Sequence, residues 1–127
     1  MQVERYARHG EQLLEVLTDA IARVERHQAG APEMPSACRV LRFDDGGWSV
    51  TWTNGKTLPS AHRLDGPAIV SFEVDGVLRL EWYYSGLPHR DGGGPALVEY
   101  DHAGIITCEE WWTYGELTAR RAAAELD

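Results

Sequence analysis

Apolar residues recur with helical spacing along the first thirty positions. Val3, Tyr6, Leu13, Leu14, Leu17, Ile21 and Val24 fall on one face, and Glu4, Arg8, Glu11, Glu15, Asp19 and Arg23 fall on the other. The pattern predicts an amphipathic helix over residues 1–30, weakened at Gly10 and stopped at Gly30. The stretch GAPEMPSAC follows, and its two prolines mark a connector.

The hydrophobic period then changes to two. Trp48, Val50 and Trp52 alternate with Ser49, Thr51 and Thr53, and Leu78, Leu80, Trp82 and Tyr84 alternate with Val77, Arg79, Glu81 and Tyr83. Such alternation predicts strands with two unlike faces. Asn54-Gly55, Asp75-Gly76 and Ala103-Gly104 stand between them as tight turns. The final segment, residues 116–127, is rich in Ala, Glu and Arg and lacks Gly and Pro. Its propensities predict a short C-terminal helix.

The strand region repeats a phrase. HRLDGPAIVSFE begins at His62, and HRDGGGPALVEY begins at His89. Gly66-Pro67-Ala68, Phe72 and Gly76 return 28 positions later, as Gly94-Pro95-Ala96, Tyr100 and Gly104. Trp82-Tyr83 and Gly86 return at 29, as Trp111-Trp112 and Gly115, so one residue is inserted. The expected place is a bulge near Glu109-Glu110. A third, worn copy starts at Val40, with Phe43, Trp52 and Gly55 as its landmarks. One unit of this length is one hairpin, too small to stand alone, and hairpins side by side make an antiparallel sheet. His62, Arg63, Asp65, His89, Arg90 and Asp91 are therefore read as structural joints. Arg63 with Asp65, and Arg90 with Asp91, are spaced for charge-assisted hydrogen bonds.

Together these elements predict an α+β fold in one domain. The N-terminal helix (1–30) packs on an antiparallel sheet of about six strands (38–115), and the terminal helices (1–30 and 116–127) cap its edges.

Charge and composition narrow the function. Acidic residues outnumber basic ones 20 to 12, a net charge of −8, which argues against nucleic-acid binding. Cys38 and Cys108 show no CxxC spacing, so neither a disulfide framework nor a zinc site is expected, only two buried thiols in a reducing compartment. No signal-peptide run or stretch of ~20 apolar residues appears, so a cytoplasmic protein is expected. His9 and His27 are expected in solvent on the helix, and His102 in a hairpin turn. GxSxG, P-loop and HExxH motifs are absent, and no metal or cofactor is expected. Adjacent Glu109 and Glu110 should point to opposite faces, whereas Glu81 and Glu109 could face one another across neighbouring hairpins. Trp82, Tyr83, Tyr84, Trp111, Trp112 and Tyr114 form two repeated aromatic groups, the candidate partner-binding residues.

The run from Trp82-Tyr83 through Gly86, His89-Arg90, Gly94-Pro95-Ala96 and Tyr100 resembles the variant MORN-type repeat of small bacterial and phage proteins. The resemblance covers roughly residues 40–117, and Asp91-Gly-Gly-Gly94 departs from the compact DGPA form. It implies a hairpin sheet and a non-enzymatic protein-binding role, with inhibitor, immunity or antitoxin-like and phage accessory proteins as the formats. Two alternatives stay open. One is a homo-oligomeric scaffold such as a homodimer. The other is a carbohydrate-binding or hydrolytic protein using Glu81, Glu109 and the tryptophans.

Overall fold

A computed structural model describes residues 3–30, 38–55 and 60–122. The chain opens with a 3-10 helix, Val3–His9, followed by α1, Glu11–Gln28. The single helix expected over 1–30 is thus broken at Gly10, whose φ of 105° no helix accommodates. Among the described residues nine strands follow: β1 (Cys38–Arg42), β2 (Trp48–Trp52), β3 (Ile69–Phe72), β4 (Leu78–Glu81), β5 (Tyr83–Tyr84), β6 (Leu87–Pro88), β7 (Leu97–Tyr100), β8 (Ile106–Thr113) and β9 (Glu116–Ala122).

Seven of them form one sheet in the order β1-β2-β3-β4-β7-β8-β9, and β5-β6 form a separate ribbon. Every pairing is antiparallel, so the main sheet is a meander interrupted once by the ribbon. The α+β class and the N-terminal helix agree with the sequence reading, with seven main strands in place of about six.

Register explains how α1 finds its place. Val40, Val50, Val70, Leu80 and Val98 lie opposite one another across five strands, all on one face. Trp48, Phe72, Leu78, Tyr100 and Ile106 make a second row on that face. Leu13, Leu17, Ala20 and Val24 of α1 and Tyr6 of the 3-10 helix close the core over them. Each large apolar side chain so buried contributes roughly 1.5–3 kcal/mol. The helix lies mainly over β1 and β2. No helix among the described residues is long and apolar enough to cross a membrane.

Among the described residues the expected C-terminal helix is absent. Residues 116–122 form β9, and 123–127 lie outside the described residues. The turn at Tyr114-Gly115 sends the chain back along β8, where cross-strand pairs outweigh the helical propensity of Ala and Arg. Glu109 lies opposite Arg121 and Glu110 opposite Arg120, and each pair is bonded, at 2.7 and 3.3 Å. The expected capping helix at this edge is therefore replaced by a strand. The inserted residue is also relocated. Glu99 pairs with Cys108 and Tyr100 with Ile106, which leaves Thr107 as the extra residue in β8, a little before the expected Glu109-Glu110.

Candidate functional site

The repeated phrase builds the same joint twice. The Arg63 guanidinium lies over the Trp52 ring at 4.1 Å, and that of Arg90 over Trp82 at 4.0 Å. Each also donates through Nη1 to the proline carbonyl of the following Gly-Pro-Ala, Pro67 at 3.3 Å and Pro95 at 3.0 Å. A β-carbon on Gly66 would come within 3.1 Å of Arg63 Cζ, and one on Gly94 within 2.7 Å of Arg90 Cζ. Glycine at these positions lets the flat guanidinium slot between backbone and indole. The buried Ala68 and Ala96 then donate their amides to Glu81 and Glu110 carbonyls, both at 2.7 Å.

The histidines fasten the turns. His62 Nδ1 accepts the amide of Ser85 at 3.0 Å, and His89 Nδ1 accepts that of Tyr114 at 3.1 Å. An accepting Nδ1 places the His89 ring proton on Nε2, which donates to Asp91 Oδ1 at 2.7 Å. The expected ion pair of Arg63 with Asp65 is present at 3.1 Å, but Asp91 serves His89, not Arg90. The longer Asp91-Gly-Gly-Gly94 turn accounts for that exchange of partners.

The six aromatic candidates do not gather on one face. Trp82 and Trp111 lie on the helix side of the sheet, beneath Arg90 and Arg121. Trp111 also donates to the Gly93 carbonyl at 3.2 Å. Tyr83 and Trp112 belong to the open side, where they donate to Glu81 at 3.3 Å and Glu110 at 2.9 Å. Tyr84 and Tyr114 form a third group at the hairpin end. Tyr114 stacks on His89 at 3.8 Å, and Tyr84 stands edge-on to Tyr114 at 6.1 Å and to His62 at 4.9 Å. With Leu87 and Leu117 they leave four large apolar side chains 43–58% exposed at this end of the sheet. Leu87 carried no signal in the sequence, because only the stacked hairpins bring it beside the Tyr114-Gly115 turn, whereas Leu117 follows that turn on β9.

The open face carries a ladder of charge. Arg79 pairs with Glu99, and Glu81, Leu97 and Glu110 lie in one register row. Burial pushes the Glu81 carboxyl up, against the attraction of Arg79. Burial likewise raises the Tyr83 hydroxyl, with the Glu81 charge adding to it. Glu109 and Glu110 do point to opposite faces. Glu81 and Glu109, however, cannot face one another: Glu81 is in register with Glu110 through Leu97, and Glu109 is in register with Val98 on the helix side.

A groove of about 750 Å³ runs beside α1 on the helix side of the sheet. It exists because α1 covers β1 and β2 and leaves the β4-β7-β8 side partly uncovered. Leu80, Trp82 and Val98 line it, with Tyr100, Arg90 and Glu109 around them. Burial pushes the Tyr100 hydroxyl up to about 12, reinforced by the Glu109 charge. Sequence reasoning missed this groove, since it depends on where the helix settles.

The remaining histidines divide. His102 lies in a hairpin turn as expected. His9 is half-buried, bonded to the Gly104 carbonyl at 2.7 Å and against the Tyr100 ring, and His27 accepts from Arg42 at 3.0 Å. Cys108 is buried, as expected, and Cys38 only half-buried. Among the described residues no His, Cys, Asp and Glu cluster could hold a metal ion. Compared with known protein families, curated proteins and solved structures, the chain matches none.

Proposed function

We propose that this chain is a non-enzymatic protein-binding module whose contact surface is the hairpin end bearing Tyr84, Leu87, Tyr114 and Leu117. The observation that carries the reading is the exposure of these four side chains on a braced support. His62 and His89 tie down the two turns, and Tyr114 lies flat on the His89 ring. Rigid aromatic groups lose little entropy on docking, and exposed apolar clusters of this kind mark partner sites. The resemblance of the HR and GPA phrases to variant MORN-type repeats supports the same reading. An acidic chain suits a basic partner, in the manner of an inhibitor, immunity or antitoxin-like protein, or phage accessory protein. Two cysteines not joined to one another in a disulfide go with a cytoplasmic setting.

The test compares the tagged chain with its Tyr84→Ser/Tyr114→Asn variant in quantitative pull-downs from host lysate, read by mass spectrometry and light scattering. Asn suits the positive φ of 42° at position 114, so the turn is retained. The expected result is one stoichiometric partner, reduced at least about tenfold by a variant that melts with the parent. Undiminished capture by the variant would rule out this surface. Bait alone, at a multiple of 14.2 kDa, would instead establish the homo-oligomeric scaffold.

A further inference from the structure

Besides Arg23 of α1, which lies over Trp52 at 5.4 Å and is bonded to Asp19 at 3.0 Å, three arginines of the sheet and its joints lie over tryptophans: Arg63 over Trp52, Arg90 over Trp82 and Arg121 over Trp111. Two of these three have a carboxylate partner. Arg63 is bonded to Asp65 at 3.1 Å and Arg121 to Glu109 at 2.7 Å. Arg90, the middle one, has none among the described residues. Its neighbour Asp91 is turned to His89, and one N–H goes to the Pro95 carbonyl. A guanidinium carries five N–H donors, so four are left without a protein acceptor among the described residues. Arg90 lines the groove beside α1.

We propose that this groove binds a small monoanionic carboxylate with an apolar body, its carboxylate on Arg90 and its body over Leu80, Trp82 and Val98. The chain itself shows the chemistry, because it supplies a carboxylate to both equivalent arginines. The Trp82 ring and the Gly94 backbone hold the guanidinium plane in place, so little entropy is lost when a carboxylate bonds to it. Burial also disfavours the Arg90 charge, and a bound anion would restore part of what desolvation takes away. The volume lies within the ordinary range for small-molecule sites. Charge selects the class. Glu15, Asp19, Asp65, Asp91 and Glu109 also line the groove, and the chain has a net charge of −8. A dianionic phosphate ester would be repelled by this field, whereas a single carboxylate on a single open arginine balances locally.

The test titrates the full chain with 3-phenylpropionate, its neutral amide and phenyl phosphate. Binding is followed by tryptophan fluorescence and by amide chemical shifts. The acid is expected to saturate, shifting residues around Trp82, Val98 and Tyr100. The amide, the phosphate ester and the Arg90→Gln variant are each expected to bind at least about tenfold more weakly, the scale of one charge-assisted hydrogen bond. Equal binding of acid and amide would overturn the proposal, as would tighter binding of the phosphate ester. Non-saturating shifts, or shifts centred on Arg39 and Arg120 of the open face, would do the same. The acid-to-amide comparison and the shift map use the parent chain, so the proposal stays decidable even if Arg90→Gln fails to fold.

Discussion

Gly104 has a φ of 82°, and a β-carbon there would overlap the backbone carbonyl of Arg5. Gly92 has a similar φ of 87°, but nothing lies within 4 Å of its would-be β-carbon. The two positions separate conformational strain from packing. Gly92→Ala meets only the left-handed penalty and is expected to cost about 1 kcal/mol. Gly104→Ala must also push back the 3-10 helix, and about 3 kcal/mol is expected from strain and overlap together. Urea unfolding of both variants measures the difference, and equal losses would refute the packing account. The Ala103-Gly104 turn was legible in the sequence as a turn signal. That the N-terminal segment presses on it was not, because a sequence does not show what approaches a turn from across the fold.

At the scale of elements, β9 is where local preference and final structure disagree. Its Ala, Arg and Glu content favours a helix, yet six of its seven residues are paired with β8, and Thr118 stands at a register shift. Its stabilisation comes from outside the segment, through Glu109, Glu110 and the Trp111 carbonyl, which accepts from Thr118 at 3.1 Å. An isolated peptide of residues 116–127 is therefore expected to show no strand signature by circular dichroism and to turn helical in trifluoroethanol. Strand structure in the free peptide would mean that β9 is locally encoded. The interior strands behave oppositely. Alternation in Trp48–Trp52 and Leu78–Glu81 marked them from the sequence, and the burial along both strands alternates as expected. The joints were legible as well, because His62 and His89, and Arg63 and Arg90, recur in register and perform matching tasks. Their partners were not, since the Trp beneath each Arg comes from the preceding hairpin.

The whole molecule is a sheet with one face under a helix and one face carrying charge. Glu81 sits on the charged face with its carboxyl raised above the ordinary 4.5. Between 4.5 and that raised value, the folded chain keeps a proton that the unfolded chain has released. Stability from this group therefore falls as pH rises through that window, and full ionisation in the folded state is unfavourable. Glu81→Gln removes the dependence. Measured by urea midpoints, the variant is expected to match the parent at pH 4 and to exceed it at pH 7. A variant less stable at pH 7 would show that the Arg79 attraction outweighs burial. This desolvation arises only in the assembled sheet, where Glu81, Leu97 and Glu110 share a row.

The sequence by itself determined the periods, the turns and the repeated joint, because each depends on residues close in the chain: an apolar stripe at helical spacing, alternation by twos, Asp-Gly or Asn-Gly between strands. It also determined that Glu109 and Glu110 part company, since neighbours on a strand must. Tertiary structure alone decided the rest. Whether residues 116–122 became strand or helix depended on an available edge at β8. Which carboxylates share a face depended on a register slip at Thr107. How the aromatic residues divided among two faces and a hairpin end depended on the stacking of hairpins. Whether Arg90 found an acid depended on which way one turn folded. These are long-range choices, made by hydrogen-bond pairing and burial between segments whose meeting no local pattern records.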